Sequence, residues 1–374
     1  MQNSVIQRQF HLDWLRVWLT LAVFLYHCLM FVNPFPWHVK NNLLDSSFAL
    51  FISLFMGVWL MPAFFAISGI SVYYALQKRT SQAFVKERVI RLGIPLVFGI
   101  LILSPPQVYI ERITTSQLSG SFLAFIPRYF DGLYLEIGGT GNFAFVGLHL
   151  WYLLVLLIFS LLIVPLLLMR KNGRINKPFK TTYLFFLPIP LILINSTANL
   201  VHLGGWDLLF YLAIFLYGMY LFSKESFKHV VKNTISIHII MAIISTSLYI
   251  YLFMTGMYHS LLFSIVKVLS CWSMFLVLFY VADKFFFYSN QKLKYASQAS
   301  MPFYILHQPV IVIVGYFLMD LSLSIPTKLM LLMTISFSII LIIFHFLIRK
   351  SDWIQPLFGI KHTSRENTSI KNSA

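Results

Sequence analysis

Apolar residues recur along the chain in long runs rather than in alternation. The runs lie near residues 12 to 32, 47 to 75, 89 to 108, 147 to 169, 181 to 198, 206 to 222, 234 to 255, 260 to 283, 299 to 318 and 328 to 348. A run of about 18 residues, at about 1.5 Å each, crosses a hydrocarbon core of roughly 30 Å. The pattern therefore predicts an all-α fold, a polytopic membrane helical bundle of about ten transmembrane helices. Short polar breaks join most runs, so residues 1–350 read as one transmembrane domain. From Ser351 the chain turns polar and weakly patterned, and 351–374 reads as a flexible cytoplasmic tail. The first run, Leu12 to Val32, is too long for the apolar core of a secretory leader and carries Asp13 and Arg16, so it is expected to be a retained helix.

Composition sharpens this picture. Hydrophobic residues make up 59% of the 374 positions and charged residues 11%, too little charge to clothe a water-soluble domain, where about 25% is usual. The net charge of +16 raises the question of nucleic acid, but the placement of the charges answers it. With the N-terminus set in the cytoplasm, only Lys40, Arg112, Arg128 and Lys328 of the 28 Lys and Arg fall outside, and Lys267 falls within a helix. That is the positive-inside distribution; it places both termini in the cytoplasm and makes the basic balance a matter of topology. Cys28 and Cys271 lie inside predicted helices without CxxC spacing, as packing residues do. There is no HExxH, P-loop, GxSxG or strand-borne GxGxxG, so a bound metal and nucleotide hydrolysis are not expected.

The longest break, from about Gln107 to Val146 on the outer side, contains Glu111, Arg112, Arg128, Asp131 and Glu136 among apolar stretches. Such a segment is expected to lie at the interface or fold back over the mouth of the bundle, and loops of this length are often functional. The inner connections are basic: Lys78, Arg79, Lys86, Arg88 and Arg91 in one, Arg170 to Lys180 in another. No fixed-period repeat or inverted pair of interrupted helices is visible.

An ionisable group at the centre of a spanning helix costs about 2.5–3.5 kcal/mol on insertion scales, so each calls for a partner or a purpose. In the first helix, helical periodicity brings His27 within about 20° of the Arg16 face and about 16 Å further along the axis. Asp13 lies on the same helix. A neutral imidazole is a natural base for a hydroxyl near pH 7; the alternative is a histidine bonded to a neighbouring helix. Arg88 and Arg91 share a face at the start of the third helix, where two guanidinium forks suit phosphates or simply fix topology. His149, Trp151 and Tyr152 sit at the outer end of the fourth helix and His307 about eight residues into the ninth, positions typical of an interfacial belt. Lys267 either snorkels outward or meets an anionic group in an aqueous cavity.

In order along the chain come LDWLRVWLTLAVFLYH, FFAISGISVYYAL, RVIRLGIPLVFG, HLWYLLVL and SMPFYILHQP. This ordered set resembles the bacterial acyltransferase-3 membrane family, within it the branch around glucan biosynthesis protein C, from Leu12 to about Arg349. The resemblance implies an O-acyltransferase of the bacterial cytoplasmic (inner) membrane. Such an enzyme passes an acyl group, acetyl or succinyl, from cytosolic acyl-CoA to a hydroxyl of an extracytoplasmic glycan, with acyl-CoA as donor substrate and no tightly bound cofactor. It assigns Arg16 and His27 to the arginine and essential histidine of the first helix, with Asp13 a weaker candidate to orient the cations. Arg88 and Arg91 match the donor-holding arginine pair, and His149, Trp151 and His307 match later motifs whose roles are less settled. Glu111 and Lys267 join these as candidate substrate contacts. Val89 stands where the family commonly has glycine, so the backbone near the donor is expected to differ. The acyl group, the acceptor (periplasmic glucan, surface polysaccharide or glycolipid), direct transfer against an acyl relay, and oligomeric state stay open. A transporter or flippase for an anionic or lipid-linked solute is the rival, with a sensor or scaffold behind it; the inner arginine pair and the missing repeat weigh against the first.

Overall fold

The computed structural model describes residues 9–168, 178–198 and 200–360. Among these, eight helices are long and apolar enough to cross a membrane: α1 (Phe10–Met30), α2 (Phe48–Leu76), α3 (Ser81–Thr114), α5 (Trp151–Leu168), α8 (Glu225–Met254), α9 (Leu261–Phe285), α10 (Gln291–Leu318) and α11 (Ile325–Ile348). Two shorter apolar helices, α6 (Thr181–Thr197) and α7 (Leu208–Phe222), stand where the fifth and sixth runs predicted spans. A short helix, α4 (Phe122–Arg128), lies in the long connection, and a hairpin of β1 (His202–Leu203) and β2 (Trp206–Asp207) precedes α7. The chain is thus an all-α polytopic bundle. Of the basic run Arg170 to Lys180 only 178–180 is described, and of the tail only 351–360; the rest of both lies outside the described residues.

Local chemistry sets the helix starts. Thr80, Ser260, Asn290 and Ser324 each accept from a backbone N–H three residues on, at 2.7–3.4 Å, the usual N-cap bond. Several helices begin earlier than hydropathy suggests, α8 at Glu225 and α10 at Gln291, because their first turns are polar and give no apolar signal. Inside α3, π-type turns span Val89–Gly93 and Gly99–Leu103. Prolines follow each, Pro95 after the first and Pro105 and Pro106 after the second, and the N–H groups they lack leave helical carbonyls free, so the coil widens there.

Helix faces are sorted for a bilayer. On α8, Ile240, Ile243 and Ile244 are exposed, a flank water would penalise and lipid accepts. In α10, 78% of the most apolar stretch is buried against 28% in α11, so α10 is central and α11 peripheral. α1 packs chiefly on α10 and α2 and also touches α9 and α11. Where α2 crosses α7 the backbones meet: a Cβ on Gly69 would lie 2.0 Å from Phe215 O, and one on Gly218 2.1 Å from Ala66 O. Small residues allow such close approach between membrane helices. Gly218→Ala is expected to force the pair apart and destabilise by about 1–3 kcal/mol, as overpacking does. A lower melting temperature in detergent and less folded protein in the membrane would be the readout; a native melting curve would contradict the contact.

The two ends of the bundle are distinct. At one, Trp14 Nε1 donates to Tyr288 O (3.1 Å) and the start of α8 is tied to Gln9. The first described residues of the predicted tail pack here too: Gln355–Phe358 forms a 3-10 turn, the Phe358 ring meets Phe98, and Gly359 O accepts from Arg91 Nε at 3.3 Å. At the other end, loops interlock. Lys328, fully buried, donates to Asn41 Oδ1, Asn42 Oδ1 and Met319 O at 2.7–2.9 Å. Lys40 donates to Met30 O and Asn33 O at the C-terminal end of α1, where a cation complements the helix dipole. Burial pulls Lys40 down to about 8.

Candidate functional site

Polar side chains form three levels along the bundle interior. At the basic end, Arg16 is fixed on both sides: Nη1 donates to Asp13 Oδ1 (2.9 Å) and Nη2 to Ser71 Oγ (2.6 Å). Arg88 and Arg91 differ from each other. Arg91 is exposed and engaged with Glu87 (3.4 Å) and Gly359 O. Arg88 is half-buried with its guanidinium 5.0 Å over the Phe84 ring and makes no hydrogen bond among the described residues. The π-type turn begins between the two, so the simple three-residue helical register expected for them is altered there.

The middle level joins three histidines from three helices. His307 Nε2 lies 3.1 Å from His27 Nδ1, and the His149 and His307 ring centroids are 5.1 Å apart, edge to face. Neither His149 nor His307 is interfacial as its predicted place implied. His149 is 7% and His307 1% exposed, because α10 begins well before the apolar run and puts His307 in mid-helix, while the 3-10 turn Leu148–Leu150 that leads into α5 sets His149 against Tyr304 and Ile305 of α10. Each imidazole uses one nitrogen on a backbone carbonyl: His27 Nδ1 on Val23 O (2.9 Å), His307 Nδ1 on Tyr304 O (2.5 Å) and His149 Nε2 on Ile305 O (3.1 Å). Pro309, which has no N–H, leaves Ile305 O without its usual helical donor, and His149 takes that place. Tyr304 Oη donates to His149 O at 2.5 Å, closing the set. Although three histidines meet, no group of three or more His, Cys, Asp or Glu among the described residues is arranged to hold a metal ion.

Tyr152 stands between these levels. Its hydroxyl shares a 2.6 Å hydrogen bond with Ser68 Oγ, its ring lies edge-on to Tyr304, and Arg88 is within electrostatic reach of it, of Arg91 and of Arg16.

The third level is at the loop end. Glu111, expected in a loop, is instead in the last turns of α3 and fully buried. Its polar neighbours Gln107 and Arg112 read as loop because they face protein rather than lipid. The carboxylate accepts from His38 Nδ1 (2.5 Å), Tyr134 Oη (2.7 Å), Gly138 N (2.8 Å) and Arg112 Nη1 (3.0 Å). Burial and that carboxylate hold the Tyr134 phenol well above its ordinary value, so it remains a donor. Arg112 also donates to Asn142 Oδ1, Gln117 Oε1 and Gly141 O. The connection from Thr115 to Gly147 is therefore folded back over the bundle. Trp37 bridges the levels, its ring 6.1 Å from His27 and 6.0 Å from His38.

The other candidates lie nearby in different roles. Trp151 packs on Tyr211 and Phe65. Lys267 Nζ donates to Gly205 O (2.6 Å) and sits 4.0 Å over the Trp206 ring, tying α9 to the hairpin. An apolar groove of about 300 Å³, lined by Phe51, Phe55, Ile243, Thr246, Ile250 and Met274 among others, includes none of the histidines. Ser68, Ser71, Tyr304 and His38 were not singled out from sequence, and Tyr152 was read only as part of an interfacial belt. Only Pro309, four residues after Ile305, gave a local sign that a carbonyl there needs another donor.

Glucans biosynthesis protein C of Escherichia coli O157:H7 and that of strain K12 are each 28% identical over 235 residues. These alignments cover 57% of this chain and 57% of each relative, so the chain spans little more than half their length. Glucans biosynthesis protein C of E. coli O81 is 25% identical over 339 residues, covering 83% of this chain and 84% of the relative. No solved structure matches. The profile of one family, described as an acyltransferase domain, matches residues 10–349, and with nearly the whole bundle inside that match the chain belongs to the acyltransferase-3 family.

Proposed function

We propose that this protein is a membrane O-acyltransferase that takes an acyl group, acetyl or succinyl, from acyl-CoA at the basic end and passes it to a hydroxyl of a glycan reached from the loop end. The relatives are named for glucan biosynthesis, and we carry that to this chain as a glucan acceptor. The charge distribution supports a basic end in the cytoplasm of a bacterial inner membrane, with both termini there.

The observation that carries the reading is the orientation of His27. Its Nδ1 faces Val23 O and His307 Nε2, which assigns the Nδ1–H tautomer and leaves Nε2 as a lone pair with no hydrogen-bond partner among the described residues. In the proposed step Nε2 takes the proton of the acceptor hydroxyl as its oxygen attacks the thioester carbon. The C–S bond then breaks, and the proton passes from Nε2 to the departing thiolate sulfur. Arg88, with donors to spare, and Arg91 would hold the donor phosphates, and Arg16 would extend the positive path inward.

The experiment is mass spectrometry of envelope glycans from a strain lacking the gene, with and without the native chain restored. An acyl mass that returns only with the chain is expected, and its size names the group; glycans unchanged by the chain would count against the reading. Arg88→Ala is expected to raise the KM for acyl-CoA about 10- to 100-fold, the loss of one or two charge-assisted hydrogen bonds. Steady-state kinetics in detergent would check this, and an unchanged KM would remove Arg88 from donor binding.

A further inference from the structure

We propose that His307 is the positioning partner of His27, its Nε2 lone pair accepting the His27 Nδ1–H so that the opposite nitrogen is held as the free base. This rests on the reading of His27 as general base and deepens it.

The argument runs outward from a backbone carbonyl. Tyr304 O lies 2.5 Å from His307 Nδ1, so that nitrogen carries the hydrogen; a bare lone pair there would face another acceptor at contact distance. His307 Nε2 is then the acceptor of the neutral ring. His27 Nδ1, 3.1 Å away and also 2.9 Å from Val23 O, is flanked by two acceptors and must carry a hydrogen. Moving it to Nε2 would set the His27 Nδ1 lone pair against both. One carbonyl on α10 thus determines, through two rings, which nitrogen of His27 is available to substrate.

The surroundings fit a fixed part. His307 is 1% exposed, its ring centroid 5.5 Å from Tyr304 and 5.1 Å from His149. His149 is itself anchored on the carbonyl that Pro309 leaves free. A partner of this kind is usually a carboxylate. A neutral imidazole gives the same acceptor without placing another charge in a low-dielectric interior, where an ion is costly. When His27 takes the proton at Nε2, its Nδ1–H stays on Val23 O and His307 Nε2, so the cation forms with its other nitrogen already bonded.

The test compares His307→Leu and His307→Gln, whose amide oxygen can accept, with the native chain and His27→Ala. Purified protein is assayed with acetyl-CoA or succinyl-CoA and a gluco-oligosaccharide. His307→Leu is expected to lower kcat on the order of 10²-fold, less than the roughly 10⁴-fold seen where a lost orienter leaves the wrong tautomer, with the KM for the donor unchanged. His307→Gln is expected to recover most of that loss. A second readout is independent of turnover: ring ¹⁵N shifts of labelled histidines should report His27 as the Nδ1–H tautomer in the native and Gln chains and as a mixture in the Leu chain. Equal kcat in the Leu and Gln variants, a loss confined to KM, or an unmoved His27 tautomer in the Leu chain overturns the proposal. If the tautomer shifts as expected while His27→Ala still turns over at the native rate, the pairing stands and it is the base reading that fails.

Discussion

Replacing His27 by alanine is expected to slow acyl transfer by about 10²- to 10⁴-fold, the usual contribution of a positioned general base, with little loss of folded protein. The side chain is half-buried, and Val23 O keeps its helical N–H partner when the imidazole goes. What remains unpaired is His307 Nε2, a single buried acceptor worth about 1–3 kcal/mol. The donor arginines are untouched, so the KM for acyl-CoA should hold while kcat falls, the mark of an interaction made in the transition state. Initial rates at matched membrane levels would check this; a variant at the native rate would show that the hydroxyl is activated elsewhere.

Glu111→Ala is expected to be the most destabilising single change outside the histidine level. The carboxylate is fully buried and gathers His38, Tyr134, Gly138 and Arg112. Its removal leaves the Arg112 charge without a counter-charge at that contact and strands three further donors. Breaking a buried pair in this way typically costs about 3–5 kcal/mol. The effect should centre on the connection from Thr115 to Gly147, whose Gly138 N–H and Tyr134 hydroxyl are fastened to Glu111. A fall in the melting temperature in detergent, with new protease cleavage in that connection, is the expected result. A variant that melts and resists protease like the native chain would mean that the remaining Arg112 bonds to Asn142, Gln117 and Gly141 suffice.

The apolar runs were legible because lipid selects the same residues that hydropathy detects. Their edges were less so. Gln291 to Ser300, Glu225 to Asn233 and Gln107 to Thr114 are helical, yet polar, since they leave the hydrocarbon or face protein. Arg16, His27 and the arginine pair stood out because charge in a spanning segment is costly. How the site is assembled was hidden: the His27 and His307 contact joins positions 280 residues apart. Glu111 was noticed but placed in a loop, since no local pattern foretells that His38, Tyr134 and Gly138 converge on one carboxylate. The different surroundings of Arg88 and Arg91, the Phe84 ring for one and Glu87 with Gly359 O for the other, are likewise not written in their spacing.

The central claim, transfer across the bilayer from an acyl-CoA to a glycan, is tested most directly in sealed vesicles holding the purified protein, a gluco-oligosaccharide inside and labelled acetyl-CoA or succinyl-CoA outside. Labelled ester on the enclosed sugar, formed with the native chain and not with His27→Ala, is the predicted result. An enclosed sugar that stays unmodified while the native protein is folded and the donor intact would contradict it.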